Sequence, residues 1–395
     1  MKKTISMLLT AVIILSLCAC GAKEGGSGYT ATAQDLADLD SLYSGRAAFH
    51  GELHDHSNSG GTSDGKQTLS IWKSTMSGVG MDYAAILDHK QVLHMYHSQW
   101  DDNVFIGGSE AATTIVDRPA GTNKFHYNMV FADPQGLEAV VKAFPEFNYR
   151  IWTEADKAGC GDQWHFDYPS MTVARFNEVI NAVKENGGLF VIPHPSTTNA
   201  TVPANAMELY FQDYIGFEVF YGCGMEDSNN WKTEANYKLW TDLLAAGVRV
   251  WASAGNDNHN FPEAKCLSTV YSEEGNAYSH ITHLRVGDFT AGPVGIRMCV
   301  GDTAMGSTGS FDGQRLVLSV GDFHQDIALE KYTFRISVLD DKGEVSSHEI
   351  QGNETFTFAM DADKNAKFYR VEVYNVTLNK LTALGNPIWN EAKYQ

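Results

Sequence analysis

Tyr83-Ala84-Ala85-Ile86-Leu87-Asp88-His89 is a short apolar run that closes on a carboxylate and an imidazole. Comparable runs recur at Phe49–Leu53, Val104–Gly107, Tyr127–Phe131, Leu189–Ile192, Phe217–Phe220 and Val248–Ala252. Helix-like stretches lie between them, at Thr68–Ser77, Gln135–Phe144, Ala174–Glu185 and Tyr237–Ala246. Strand and helix patterns that alternate in this way imply βαβ units and a parallel sheet. Gly187-Gly188 and Gly247 each stand just before a strand, where a helix C-cap belongs. Seven strands predict an α/β barrel of about seven units. A doubly wound open sheet is the second architecture, but no G-x-G-x-x-G follows the first strand.

What closes those runs carries the chemistry. His54, His56, Asp64, His89, Glu110, His126, His194, Asp257 and His259 lie at or beside the ends of successive runs. Barrels of parallel strands keep their functional groups at one end, so such residues gather. Nine N/O donors exceed what one ion takes and suit a cluster of two or three. His54 and His56 are two apart on a strand and point the same way, while Asp55 faces elsewhere. Asp64 follows on the turn Thr62-Ser63-Asp64-Gly65. His89 is read as a ligand, with Asp88 orienting an imidazole or satisfying backbone groups at the strand end. Glu110 has two oxygens and can bridge two ions, as a neutral imidazole cannot. His126 precedes its strand rather than ending it and on its own reads as structural, and Pro193 and Pro195 fix the direction of His194. Asp257-Asn258-His259 repeats the two-residue spacing.

His94 and His97 read as a solvated loop, and His50, His165, His280, His283, His324 and His348 fit no cluster. Lys90, Arg118 and Lys265 are either contacts to an anion or surface charges. Glu218 either supports the ligands or is merely paired. The segment Pro145–Pro169, with Trp152, Trp164 and His165, reads as an insertion that either walls the pocket or is a surface excursion.

After about Arg285 the texture changes to period two, as in Leu316/Leu318/Val320, Phe334/Ile336/Val338, Phe356/Phe358/Met360 and Tyr369/Val371/Val373. Turns such as Asp341-Lys342-Gly343 and Asp361–Asn365 separate these strands. A small C-terminal β-sandwich is expected over 286–395, behind the barrel unit over 46–285.

Residues 1–20 read as a lipoprotein signal peptide, with Lys2 and Lys3 before the apolar stretch Met7–Leu17. That stretch is too short to span a bilayer. A small residue, Ala19, precedes Cys20 and fits cleavage and acylation there, whereas Leu17 makes Cys18 the weaker candidate. The alternative is an ordinary secretory signal with two incidental cysteines. A lipidated Cys20 implies a bacterial cell-envelope protein facing outside the cytoplasm, with residues 21–45 as a flexible tether. Cys160, Cys223, Cys266 and Cys299 are widely spaced and indicate no disulfide framework. A net charge of −19 argues against a nucleic-acid surface.

His54-x-His56, Ser63-Asp64-Gly65, Asp88-His89, Glu110, His126, His194 and Asp257-x-His259 resemble the ligand series of the PHP (polymerase and histidinol phosphatase) metallohydrolases. Asn386-Pro387-Ile388-Trp389 is similar to the two-domain phosphoesterase type. The resemblance implies a distorted (β/α)7 barrel with a trinuclear site. His54, His56, Glu110 and Asp257 would hold one ion, Asp64, His89 and His259 a second, and Glu110, His126 and His194 a third. It implies two or three divalent ions (Zn, Mn or Fe) and a hydroxide, generated between ions, that attacks a small phosphate ester. Glu110, Asp257 and His259 are the catalytic candidates, and Asp257 or a rim histidine would pass the proton to the leaving group. Two alternatives stand beside this reading. One is a hydrolase of a carbamate, amide or carboxylic ester. The other is a non-catalytic lipoprotein that binds a glycan or a protein partner.

Overall fold

The computed structural model describes residues 30–59, 63–118, 124–147, 169–195, 212–222 and 231–394. Cys20, the signal segment and most of the Pro145–Pro169 insertion lie outside them. The first half runs α1 (Ala33–Leu42), β1 (Ala47–Asp55), α2 (Leu69–Met76), β2 (Tyr83–Ile86), β3 (Phe105–Ile115) and β4 (Lys124–Phe131). It continues with α3 (Pro134–Ala143), β5 (Ser170–Met171), α4 (Val173–Glu185), β6 (Leu189–Ile192), β7 (Ile215–Tyr221), α5 (Trp231–Ala245), β8 (Val250–Gly255), β9 (Ser268–Ser272) and α6 (Ala277–Leu284). Helix starts are set by side chains that accept from orphan amides. Thr68 caps α2, Asp133 caps α3 ahead of Pro134, Thr172 caps α4 and Asn276 caps α6.

The strands form a mixed α/β protein dominated by one 15-stranded sheet. Within it, β1–β2–β3 and β6–β7–β8 are parallel, as the alternating pattern requires. Strand β4 breaks the series by pairing antiparallel with both β3 and β6. Only eight residues, 116–123, separate β3 from β4, fewer than a crossover to a parallel neighbour needs, so the chain returns antiparallel. This explains His126. An antiparallel strand begins at the edge where its parallel neighbours end, so a residue at its start joins the others.

The barrel expected from the sequence is not closed by strand pairing among the described residues. Strand β1 has β2 on one edge, and antiparallel β9 takes the other edge over Ala47–Gly51, so β8 itself does not pair with β1. The sheet curls enough to bring the residues after β8 to the end of β1. There Asp257 N–H donates to His54 O (2.8 Å), His56 N–H donates to Asn258 O (3.0 Å), and Asp55 bridges Asn258.

The C-terminal strands are β10 (Phe289–Ala291), β11 (Val294–Val300), β12 (Thr303–Ala304), β13 (Thr308–Gly309), β14 (Arg315–Phe323), β15 (Thr333–Asp340), β16 (Gly343–Gln351), β17 (Phe356–Asp361), β18 (Phe368–Asn375) and β19 (Lys380–Asn390). A second sheet has the order β12–β11–β14–β17. Its Ile296, Leu318 and Phe358 share one core with Ile336, Val371 and Ile388 of the long sheet. The two halves are continuous in hydrogen bonding, because β10 pairs with both β9 and β19.

That continuity covers the edge of β8. Fully buried Asn386 accepts from Ala252 N–H (2.7 Å) and donates to Ala252 O (3.3 Å) and Phe289 O (3.0 Å). One side-chain amide thus replaces part of a missing ladder. The tether reading also needs correction. Residues 33–42 are helical, Leu39 is buried, and Asp35 pairs with Arg315 Nε at 2.8 Å. Ordered structure therefore starts ahead of residue 46.

Replacing Asn386 by leucine leaves two backbone groups of Ala252 unsatisfied. Unfolding in urea is expected to show a loss of about 2–4 kcal/mol, against about 0.5 kcal/mol or less for a surface Asn→Leu control.

Candidate metal centre

A β-bulge sets the first ligands. On β1, Glu52 pairs with Ala84 but Asp55 pairs with Ile86, so three steps oppose two. His54 and His56 turn into the cluster, while Asp55 turns away to face Glu52. Burial raises both carboxyls, Glu52 well above its usual range and Asp55 to about 7. Gly255 makes room alongside: a Cβ there would lie 2.3 Å from Glu218 Oε1 and 2.6 Å from His54 Cβ.

The structure brings all nine sequence-predicted residues together in three overlapping groups: His54/His56/Glu110/Asp257, His56/Asp64/His89/His259 and Glu110/His126/His194. Glu110 joins two of them, and its two oxygens divide the work. Oε2 lies 3.3 Å from His54 Nε2, 3.3 Å from His56 Nε2 and 3.5 Å from His89 Nδ1. Oε1 lies 2.7 Å from His126 Nδ1 and 3.0 Å from His194 Nε2. Asp257 Oδ1 is 3.1 Å from His56 Nε2 and 3.6 Å from His54 Nε2. Asp64 Oδ1 is 2.9 Å from His259 Nε2 and 3.5 Å from His89 Nε2. Donors arranged tetrahedrally at the usual 2.0–2.2 Å from an ion are about 3.4 Å from one another. Most of these separations are of that size, and the mixed imidazole/carboxylate set suits Zn, Mn or Fe.

Supporting contacts orient several of the ligands. Glu218 Oε1 takes the Nδ1–H of His54 (3.2 Å) and its Oε2 accepts from His194 N–H (2.6 Å). The backbone oxygen of Asp257 takes His259 Nδ1–H (2.8 Å). Tyr221 hydroxyl donates to Asp257 Oδ2 (3.0 Å), which leaves Oδ1 for the histidines. Partners of this kind set tautomer and orientation. His194 and Asp257 hold positive φ, 30° and 53°, which non-glycine residues seldom adopt.

Charge in the cluster is strongly coupled. Burial opposes ionisation of Glu110, but His54, His89, His126 and His194 outweigh it and hold its carboxyl well below the usual range. Burial likewise opposes charge on His54 and His56, yet Asp257 and Glu110 hold His54 well above the usual value and His56 up to about 10. Positive charge is thus already held among these carboxylates, and metal ions would replace the protons.

Several expectations change. Asp88 orients no ligand imidazole; its Oδ1 and Oδ2 accept from the amide (2.6 Å) and hydroxyl (2.8 Å) of Ser57. His94 is fully buried 3.6 Å from Asp88 rather than solvated. Glu110 lies in mid-strand, since β3 continues to Ile115. Lys265 pairs with Glu263 at 2.7 Å. His50, His280, His283, His324 and His348 bond to Thr269, Ser272, Glu273, Gly80 O and Ser346, away from the cluster. Sequence reasoning left Glu218 uncommitted and passed over Tyr221. The signal for Glu218 was available, because a carboxylate inside an apolar strand is buried and needs a partner.

No protein-family model matches the chain, and no curated protein matches it. Among solved structures it is similar to a protein described as a metal-dependent phosphoesterase from Bifidobacterium adolescentis, at 17% identity and a TM-score of 0.34 over 54% of this chain and 88% of that one. It is also similar to an amidohydrolase from Chromobacterium violaceum solved with sulfate and no metal, at 17% identity and a TM-score of 0.34 over 53% of this chain and 87% of that one. Likeness at this level carries no functional conclusion, and the site rests on its own geometry.

Removing a supporting contact should loosen the ions. Glu218→Gln and Tyr221→Phe are each expected to weaken metal binding by about 10–100-fold, read by competition with a chromophoric chelator. Because protons must leave His54 and His56 for ligation, apparent affinity should climb as pH rises toward 10.

Proposed function

We propose that the chain is a metal-dependent phosphoesterase of the PHP type, cleaving a small phosphate ester at a di- or trinuclear centre. The observation that carries this reading is the division of Glu110 between two sets of imidazoles. In this reading residues 46–285 supply the hydrolase and residues 286–395 form a β-sandwich that closes the free edge of β8. Cys20 would anchor the protein by a lipid outside the cytoplasm, a reading that rests on residues 1–20 alone. No helix among the described residues is long and apolar enough to cross a membrane.

The bound ions would lower the pKa of water and stabilise negative charge on the ester oxygens. The protein's own part is to hold and orient. Nδ1 of His54 and of His259 is tied to oxygen, so Nε2 of each faces the cluster. Asp257 and His259 stand at the open rim, with side-chain exposures of 18% and 27%, where a proton can pass to a departing alkoxide. Buried His54, His56 and Glu110 have no such access.

A second reading keeps the centre and changes the substrate to a carbamate, amide or carboxylic ester, since the same ligands would polarise an acyl carbonyl. Purified protein lacking residues 1–20 should hydrolyse chromogenic phosphate monoesters or diesters. Activity should vanish with a chelator and return with added metal. Turnover of acyl substrates alone would favour the second reading, and undiminished activity in metal-free protein would defeat both. Asp257→Asn is expected to lower kcat by about 10²–10⁴-fold.

A further inference from the structure

The ligand cluster is closed on most sides and open on one. His54, His56 and Glu110 are buried, whereas side chains of Asp257, His259 and Asp64 are 18%, 27% and 37% exposed. A cleft of about 320 Å³ opens on that side, and Asp257 and His259 form part of its wall. Tyr221, Asn256, Asn260, Glu263 and Lys232 also line it. Amides, carboxylate and ammonium suit a charged or hydroxylated ligand better than an apolar one.

Apart from the ligands, the described residues of the cleft include two charged side chains, Glu263 and Lys232. Glu263 is matched by Lys265 at 2.7 Å. Lys232 has no carboxylate partner among the described residues. Its Nζ stands 4.5 Å over the ring of Tyr221, the residue whose hydroxyl holds Asp257. An ammonium resting on an aromatic face is positioned without using up its N–H donors on a carboxylate. On a chain of net charge −19, a cation at this position also favours entry of an anion.

We propose that Lys232 is a specificity residue that binds a second anionic group, carboxylate or phosphoryl, on the substrate beyond the ester held at the metal centre. This rests on the hydrolase reading above and narrows it to small esters carrying two anionic groups. Tyr221 acts as the positioning residue, because one side chain orients a metal ligand and seats the ammonium.

The test is calorimetric titration of metal-loaded protein with 2-phosphoglycolate and with inorganic phosphate, after elemental analysis shows equal metal content in each variant. The wild type should bind 2-phosphoglycolate more tightly than phosphate. Lys232→Gln should lose about 10-fold more affinity for 2-phosphoglycolate than for phosphate, and Lys232→Arg should keep most of the preference. Equal losses for both ligands, an undiminished preference in Lys232→Gln, or no preference in the wild type would overturn the proposal. Failure of the phosphoesterase reading looks different: no phosphate ester is turned over, while the preference still depends on Lys232.

Discussion

Glu110 is almost fully buried, at 2% exposure, and both of its oxygens face imidazoles. A carboxylate in that position is tolerable only if positive charge surrounds it. The bulge in β1, the reversed strand β4 and the strained turn at His194 all deliver imidazoles to it. Charge balance at this one side chain therefore explains features that propensity alone would disfavour. Without cations, protons on His54 and His56 have to supply the balance, so metal binding and proton release are linked.

The rest of the fold serves to hold those strand ends still. Strand β9 takes the first part of the β1 edge, over Ala47–Gly51, that a closed barrel would give to β8, so β8 has another partner there. Asn386 supplies it from β19, and the C-terminal strands thereby become part of the frame of the site. At the centre itself, Glu218, Tyr221 and the backbone of Asp257 fix the ligands at their far atoms. Rigidity at both levels is what a metal site built from several side chains needs, since small displacements of its ligands would each cost affinity.

Much of this was legible in the sequence. Apolar runs separated by helical stretches gave the parallel strands, and polar residues at their ends pointed to seven of the nine side chains that the structure gathers, while Asp64 and His126 leaned on the family resemblance. What stayed hidden depends on long-range pairing. Nothing local to His126 says that its strand runs backwards, and nothing local to β1 says that β9 claims its second edge. Asp88 and His89 are neighbours with similar chemistry, yet only the position of Ser57 shows that Asp88 serves the backbone. Tyr221 looks like an ordinary strand residue until Asp257 is placed opposite its hydroxyl. The helix at 33–42 was obscured by the glycine-rich stretch before it, although Thr32 and Asp35 form a capping box that a closer reading would detect.

The most direct test of Glu110 as the shared ligand is a count of ions per chain by native mass spectrometry, in the wild type and in Glu110→Gln. The geometry predicts two or three ions in the wild type, one for each donor group filled, and loss of more than one ion in the variant. A wild type holding a single ion, or a variant losing only one, would contradict the bridging role.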